Sequence, residues 1–453
     1  MISAKKILFC MLLLVLPAGS MFLLSGMPPR DTERGATSEP GDTVFRNSRV
    51  LEAVAADFSL ASGLERAVEW RPKVLTPAPR GYEAVFVEHY GRHGSRYAYS
   101  EKAYSTVYEM LKEGAATGNL TPFGASLWAR VEPFWEKVRY QVGDLTPLGW
   151  EQHRQIASIM AGDYPTAFGK GSKVFACSSP STRAMVSMTS FCTSLSREAP
   201  KTEIYAHQGL TDINAVRPNV GKNPFVYTGP ACVFPYEESL PDFFYRKCPF
   251  WRDVLGRIFK DTDSAVQGRQ VHDVFFFLNL FVAGMQNLPD DVRINVDGIF
   301  TPEEYGLVWE ADNYIRLWEY LKYRTPCSSI VDDFISKADR RLSCGERGAD
   351  LRFGHDHVLI AVLMVMDIDG FGYLPESPDE VAFWFQSYRS PKAANIQFVF
   401  YTPKKGRSGD TLVKVLLNGD EARLGTLAAK EGPYYRWEDA KEWLRHRVSL
   451  FTD

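Results

Sequence analysis

Apolar residues along this chain fall into short runs bounded by glycine, proline and small polar residues, and these alternate with longer stretches of helical spacing. Ala84-Val85-Phe86-Val87 lies in the first run, so Tyr82 to Glu88 reads as a buried strand. Ala103 to Glu113, Pro122 to Tyr140 and Pro147 to Ala161 have the spacing of helices. Lys173 to Ala176 predicts a second strand, Ser181 to Ser194 the helix behind it, and Thr202 to Ala206 a third strand. This alternation predicts an α/β fold: a mostly parallel sheet with helices on both faces. Residues 210–345 break the rhythm. They are rich in aromatics, as in Phe243-Phe244-Tyr245 and Phe275-Phe276-Phe277, and mainly helical in pattern, which predicts an inserted α-helical lobe with those aromatics packed in its core. Beyond Leu351 the α/β pattern resumes. Val358 to Met366 is a buried helix, Asn395 to Tyr401 and Thr411 to Leu417 form an antiparallel pair around a Lys404–Gly409 turn, and Trp437 to His446 is a terminal helix.

The expected organisation is therefore a signal peptide over 1–26, an N-terminal extension over 27–80, the first part of the α/β domain over 81–209, the helical lobe over 210–345, and the second part of the α/β domain over 346–453. Lys5 and Lys6 precede the apolar run Ile7 to Leu16 and the small residues Pro17-Ala18-Gly19-Ser20, the pattern of a secretory signal. That predicts a periplasmic or secreted protein with no stable membrane partner beyond the export signal. Met27 to Asp42 is polar and reads as a flexible start to the mature chain, with a short helix over Asn47 to Ala61. Of seven cysteines, all but Cys10 lie beyond that signal. An even set in an exported chain permits disulfides, and Cys232 with Cys248 and Cys327 with Cys344 each flank a short stretch. The net charge of −3, which becomes −5 once the two signal lysines are removed, leaves no basic footprint for nucleic acid. Neither Cys-x-x-Cys nor His-Glu-x-x-His occurs, so no metal or other cofactor is expected.

Candidate chemistry sits at the ends of the apolar runs. Tyr90-Gly91-Arg92-His93-Gly94-Ser95-Arg96 follows the first strand, with glycines that let the backbone turn and approach a ligand closely. Arginine offers a charged planar fork that matches phosphate oxygens, and a histidine held between two such forks is placed to attack a bound phosphoryl group. After the second strand comes Cys177-Ser178-Ser179-Pro180-Ser181-Thr182-Arg183, where Ser179 suits a helix N-cap and Pro180 a first turn, bringing Arg183 to a helix N-terminus that favours anions. Far downstream, Leu351-Arg352-Phe353-Gly354-His355-Asp356-His357 leads into the buried helix.

These segments, in this order and together with Leu145-Thr146-Pro147-Leu148-Gly149 and Gln152, resemble the histidine acid phosphatases, the acid-phosphatase and phytase branch of the histidine phosphatases, over roughly residues 80 to 450. The resemblance implies a two-step phosphomonoesterase acting on a small-molecule phosphate monoester. His93 is then the nucleophile that forms a phosphohistidine. Arg92, Arg96, Arg183 and His355 bind the phosphate, Gly94 offers a carbonyl to the ring of His93, and Asp356 is general acid and later base, which favours activity at acidic pH. In length and in the Arg96-Tyr97 pair the chain is similar to the multiple inositol polyphosphate phosphatases, but those carry His-Ala-Glu where this chain has His355-Asp356-His357. Inositol phosphates such as phytate are the leading substrates. A sugar-phosphate or broad-specificity acid phosphatase, and a non-catalytic phosphate-binding relative, are the alternatives. His357 reads as a solvent-facing residue of the first helical turn. Specificity is expected in the loops of the helical lobe and in the segment after Arg96, which includes Tyr97, Tyr99 and Lys102, with Lys102 read as a solvated helix residue rather than a contact to a second phosphate.

Overall fold

The computed structural model describes residues 49–208, 213–218, 235–384 and 387–452. Eight strands form one sheet: β1 (Tyr82–Arg92), β2 (Lys173–Ser178), β3 (Glu203–Gln208), β4 (Gly348–Gly354), β5 (Asn395–Pro403), β6 (Leu412–Leu417), β7 (Asp420–Ala422) and β8 (Tyr434–Arg436). Their spatial order is β3-β2-β4-β1-β5-β6-β7, with β8 also paired to β6. The first four in that order run parallel to one another, and β5 to β8 add antiparallel pairs. This is the predicted α/β class, with the parallel part at the centre.

Side-chain alternation along each strand feeds two cores. Val87 of β1 and Val399 of β5 point to the helices Pro147–Asp163 and Thr182–Glu198, joining Ile156, Met160, Phe191 and Leu195. Their neighbours Phe86, Phe398 and Phe400 point the other way, to Ile330, Val331 and Phe334 of the helix Arg324–Ser343 and to the helix Asp356–Met366. Each such side chain stabilises the fold by about 1.5–3 kcal/mol through burial. Both faces are therefore apolar, which is why β1 reads as a continuous hydrophobic run.

β4 is the strand the hydrophobic pattern does not announce, because Asp350 and Arg352 interrupt it. Both are buried and paired: Arg341 Nη2 donates to Asp350 at 2.5 Å, and Arg352 lies between Glu88 (2.5 Å) and Asp333 (2.5 Å). These pairs allow a charged sequence to occupy the middle of the sheet.

A third core is mainly helical. Lys102–Thr117 and Pro122–Val138 pack with Trp251–Ile258 and Val271–Gly284, burying Tyr104, Leu127, Phe134, Leu255, Phe275 and Phe281. The aromatic runs behave as core: Phe243, Phe244 and Phe275 are buried, while Tyr245 is exposed. The helix Pro302–Leu321 joins this core to the sheet. Val308 and Ala311 lie in the helical core, Tyr314, Leu317 and Tyr320 in the sheet core. Its start is fixed by a Thr301–Glu304 capping box whose glutamate also takes both Nη groups of Arg257, at 2.7 and 2.6 Å.

Two local expectations are corrected. The helix after β2 is Thr182–Glu198 with Ser181 at the N-cap, so Ser179 and Pro180 precede it and Arg183 still falls in its first turn. No disulfide links the described cysteines. Cys327 and Cys344 are free thiols at opposite ends of the helix Arg324–Ser343, about 25 Å apart along its axis, whereas a disulfide needs Cα atoms within about 7 Å. Cys248 is a buried free thiol; Cys232, the signal segment and the polar start to the chain lie outside the described residues. Among the described residues no helix is long and apolar enough to cross a membrane.

Candidate active site

β1, β2 and β4 run parallel and end at Arg92, Ser178 and Gly354, so the loops bearing His93, Arg183 and His355 leave the sheet side by side. Backbone hydrogen bonds tie these loops together: His93 N–H donates to the Gly354 carbonyl (3.0 Å), Ser179 N–H to that of Phe353 (2.9 Å), and Ala393 N–H to that of His93 (3.0 Å).

The helix start at Thr146-Pro147-Leu148-Gly149 buttresses the first loop. Thr146 N–H donates to the Ser95 carbonyl (2.9 Å), and Gln152 accepts from Ser95 N–H (2.8 Å) while donating to the Val68 carbonyl (2.9 Å). The contact is backbone on backbone. A Cβ on Gly149 would stand 2.1 Å from Ser95 O, and one on Gly94 would stand 2.5 Å from Gly149 O. Gly149→Ala is therefore expected to cost about 1–3 kcal/mol, read as a lower urea midpoint. Gly162→Ala in the same helix, with nothing within 4 Å, should be neutral or stabilising by up to about 1 kcal/mol.

An open cavity of about 140 Å³ lies at these strand ends, lined by His93, Arg96, Arg183, His355 and Asp356, five of the six expected site residues. Arg92, the sixth, is fully buried and does not line it. Its Nη1 donates to the carbonyls of Leu64 (2.7 Å) and Ser390 (2.5 Å), and its Nη2 to Asp356 Oδ2 (2.8 Å). Arg96 donates to Tyr97 O (3.0 Å) and pairs with Glu65 Oε1 (3.2 Å). The Nε groups of Arg92, Arg96 and Arg183 are buried and have no hydrogen-bond partner among the described residues. The same holds for Arg66, Arg130 and Arg139, which do not line the cavity, so it is the convergence of Arg96 and Arg183 on one cavity that suits an anion.

His93 Nδ1 lies 2.9 Å from the Gly94 carbonyl, so Nδ1 carries the proton and Nε2 the lone pair. Burial, then Arg183, Arg96 and Arg92, hold this imidazole well below its usual range, and it stays neutral in acid. His355 is N-cap of the helix Asp356–Met366, its Nε2 2.8 Å from Ser179 Oγ, and burial with Arg183 lowers it too. Burial and Arg96 bring Arg183 down to about 10, still fully charged near neutrality. For Asp356, burial pushes upward, but Arg92 and His357 outweigh it and the carboxyl lies well below the usual carboxylate range.

Several residues at the cavity carry no local sequence signal. Leu64 and Glu65 come from a 3₁₀ segment, Phe58–Glu65, far upstream of the first motif. Glu65 Oε2 also pairs with the fully buried Lys392 (2.8 Å), which precedes β5. The helix Pro302–Leu321 contributes Arg316, Glu319 and Tyr320. Of the residues expected to set specificity, Tyr99 lines the cavity, Tyr97 is buried in the helical core, and Lys102 is an exposed helix start. His357 corrects its expectation: it lines the cavity with only 15% of its side chain exposed. Among the described residues no cluster of His, Cys, Asp or Glu is placed to hold a metal ion.

No protein-family model matches the chain, and no curated protein matches it in sequence. Solved structures do. The multiple inositol polyphosphate phosphatase of Bifidobacterium longum superposes with a TM-score of 0.70 at 16% identity, over 85% of this chain and 97% of that one. It has also been solved in complex with phosphate and with inositol hexasulfate. The phytase from D. castellii gives 0.61 at 16% identity over 90% and 91%, and that from Citrobacter braakii 0.51 at 12% over 82% and 99%. The chain has the fold of these phosphatases. In this phosphatase fold the three motif-bearing loops fall at one end of the parallel strands, the place where open α/β sheets bind ligands.

Proposed function

We propose that the protein is a phosphomonoesterase that works through a phosphohistidine. In the first step His93 Nε2 forms a bond to phosphorus, the bond from phosphorus to the ester oxygen breaks, and Asp356 gives that oxygen a proton. In the second step water attacks phosphorus, the nitrogen–phosphorus bond breaks, and Asp356 takes the water's proton. Arg96, Arg183 and His355, which line the cavity, hold the phosphoryl oxygens, and Arg92 behind them adds its charge and its unpartnered Nε, which neutralises the charge that builds up. The observation that carries this reading is a neutral imidazole with a free Nε2, set in one cavity with charged guanidiniums whose buried N–H groups lack partners. A phosphate-binding protein would need no carboxyl beside His355.

Asp356 is ionised in the free protein and must be protonated to act. A bound phosphate offsets the positive field of Arg92, Arg96 and Arg183, and a monoanionic ester, dominant below about pH 6, carries the proton in with it. Activity is accordingly expected to favour acidic pH.

Inositol polyphosphates such as phytate are the leading substrate, in keeping with the inositol hexasulfate complex of the B. longum structure. A sugar phosphate is the second reading. It is favoured by Arg316, the arginine that the helix Pro302–Leu321 brings to the cavity, which is paired with Asp312 (3.3 Å) and Glu319 (3.1 Å) and so offers little free charge to further phosphates. Phosphate release from phytate, glucose 1-phosphate and para-nitrophenyl phosphate at pH 5 decides. The highest kcat/KM is expected for phytate; a preference for glucose 1-phosphate selects the second reading, and no turnover of any ester by folded protein rejects the enzyme. Export to the periplasm or medium belongs to the same reading, and fractionation of expressing cells tests it.

A further inference from the structure

We propose that His357 is the positioning residue of the proton donor, fixing Oδ1 of Asp356 so that the carboxyl presents its proton to the departing oxygen. This rests on the reading of Asp356 as general acid. The two oxygens of Asp356 are held from opposite sides. Arg92 Nη2 donates to Oδ2 at 2.8 Å, while Oδ1 accepts from the His357 backbone N–H at 2.8 Å and lies 3.4 Å from the His357 ring Nδ1. The backbone bond would survive any substitution at 357. The ring contact is what the side chain adds.

Packing holds the ring in place. It stacks on His355 at 5.4 Å and 11° between planes, and lies 4.5 Å from the Tyr323 ring and 6.3 Å from that of Tyr320. Facing an ionised carboxylate, Nδ1 is the protonated nitrogen, which leaves the lone pair on Nε2. Nε2 is buried, without a partner among the described residues, in a side chain that lines the cavity. The charged and titratable groups around the pair come from every side: His355 on the same turn, Glu319 and Tyr320 from the helix Pro302–Leu321, Tyr323 just beyond it, Arg217 just after the short helix Ile213–Val216, Arg92 and His93 at the end of β1, and Arg183 from the first turn of the helix Thr182–Glu198. His357 favours the ionised form of Asp356 both as a donor and through its charge when protonated. Its loss therefore raises the Asp356 pKa and loosens the carboxyl.

The test compares two leaving groups. An aryl phosphate needs little help from an acid, whereas glycerol 2-phosphate expels an alkoxide that needs a proton. In His357→Ala, kcat/KM for glycerol 2-phosphate is expected to fall about tenfold, kcat/KM for para-nitrophenyl phosphate to stay within about threefold, and the alkaline limb of kcat/KM to move to higher pH. His357→Asn, whose amide N–H reaches the position of Nδ1, should keep the wild-type leaving-group ratio and pH profile. Equal losses on both esters with an unmoved limb, or His357→Asn behaving as the alanine variant, would overturn the proposal. Asp356→Asn separates the two claims. If it keeps normal turnover of glycerol 2-phosphate, the donor is misassigned. If it loses about 10²–10⁴-fold while His357→Ala matches wild type, the donor stands and the role of His357 fails.

Discussion

Replacing His93 with alanine is expected to lower phosphomonoester turnover by at least about 10⁴-fold and to abolish any acid-labile phosphoenzyme, with the fold intact. In the proposed mechanism the imidazole supplies the bond-forming nitrogen, and its neighbours are otherwise engaged. His355 is engaged with Ser179 through Nε2 and serves as a helix N-cap, and His357 is turned to Asp356. The fold survives because what ties position 93 into the sheet is backbone: its N–H to Gly354 O and its carbonyl to Ala393 N–H. Truncation also leaves a space the size of the ring, bordered by charged arginines, so added imidazole should restore part of the turnover. Rapid alkaline quenching of wild type with labelled substrate traps the intermediate, because phosphohistidine persists at alkaline pH, and should trap none in the variant. Near-normal turnover by His93→Ala would show the nucleophile to be another group.

The parts of this fold that could be read from the chain are those written in neighbouring residues. β1 and its loop are one continuous segment, and so are the helix start at Thr146-Pro147 and the buried helix after His355, so each declares itself by period, cap and glycine. β4 did not, because Asp350 and Arg352 look like a surface pattern until Arg341, Glu88 and Asp333 are seen to neutralise them. His357 was misjudged for a related reason. One turn of helix leaves its side chain free to meet solvent or a neighbour, and the neighbour, the end of the helix Pro302–Leu321 with Tyr323, comes from more than thirty residues upstream. Glu65 and Lys392 are 327 residues apart and neither sits in a motif, so no local rule could join them. The first loop and the position of Asp356 at the start of the buried helix were legible. The charges that hold the arginines in place were not.

Glu65 is the residue whose loss should damage stability most. It is buried between the Arg96 guanidinium at 3.2 Å and Lys392 at 2.8 Å, an amine that burial and Arg96 push well below its usual range and that Glu65 pulls back up, and its backbone carbonyl accepts from Asn287 Nδ2 at 2.8 Å. Burial pushes its carboxyl up, but Arg96, Lys392 and Arg92 outweigh that and bring it from 4.5 down to about 2. A depressed carboxylate stabilises the fold above its unfolded pKa and ceases to do so as pH falls through the folded one, so about 3 kcal/mol is present above pH 4.5 and lost by about pH 2. The buried His89 and His153 act in the same direction from a higher starting point. Burial holds both at about 3, so below pH 6.5 the unfolded chain takes up protons that the native protein refuses. Stability should thus decline across the same acidic range in which turnover is favoured, and an acid limb in the rate must be separated from unfolding by circular dichroism at each pH. Glu65→Gln leaves Arg96 and Lys392 buried without a counter-charge and is expected to cost about 3–5 kcal/mol at pH 7, with KM raised because Arg96 loses its anchor. Adding Lys392→Met removes one of the stranded charges and should recover part of that loss. Urea unfolding at pH 7, 5 and 3 checks both claims. Relative to wild type, Glu65→Gln should lose Glu65's share of the pH dependence below 4.5 and keep the shares set by the other depressed carboxylates, such as Asp356 and Asp333, and by the histidines; an unchanged midpoint at pH 7 would mean that Glu65 does not hold Arg96 and Lys392 in place.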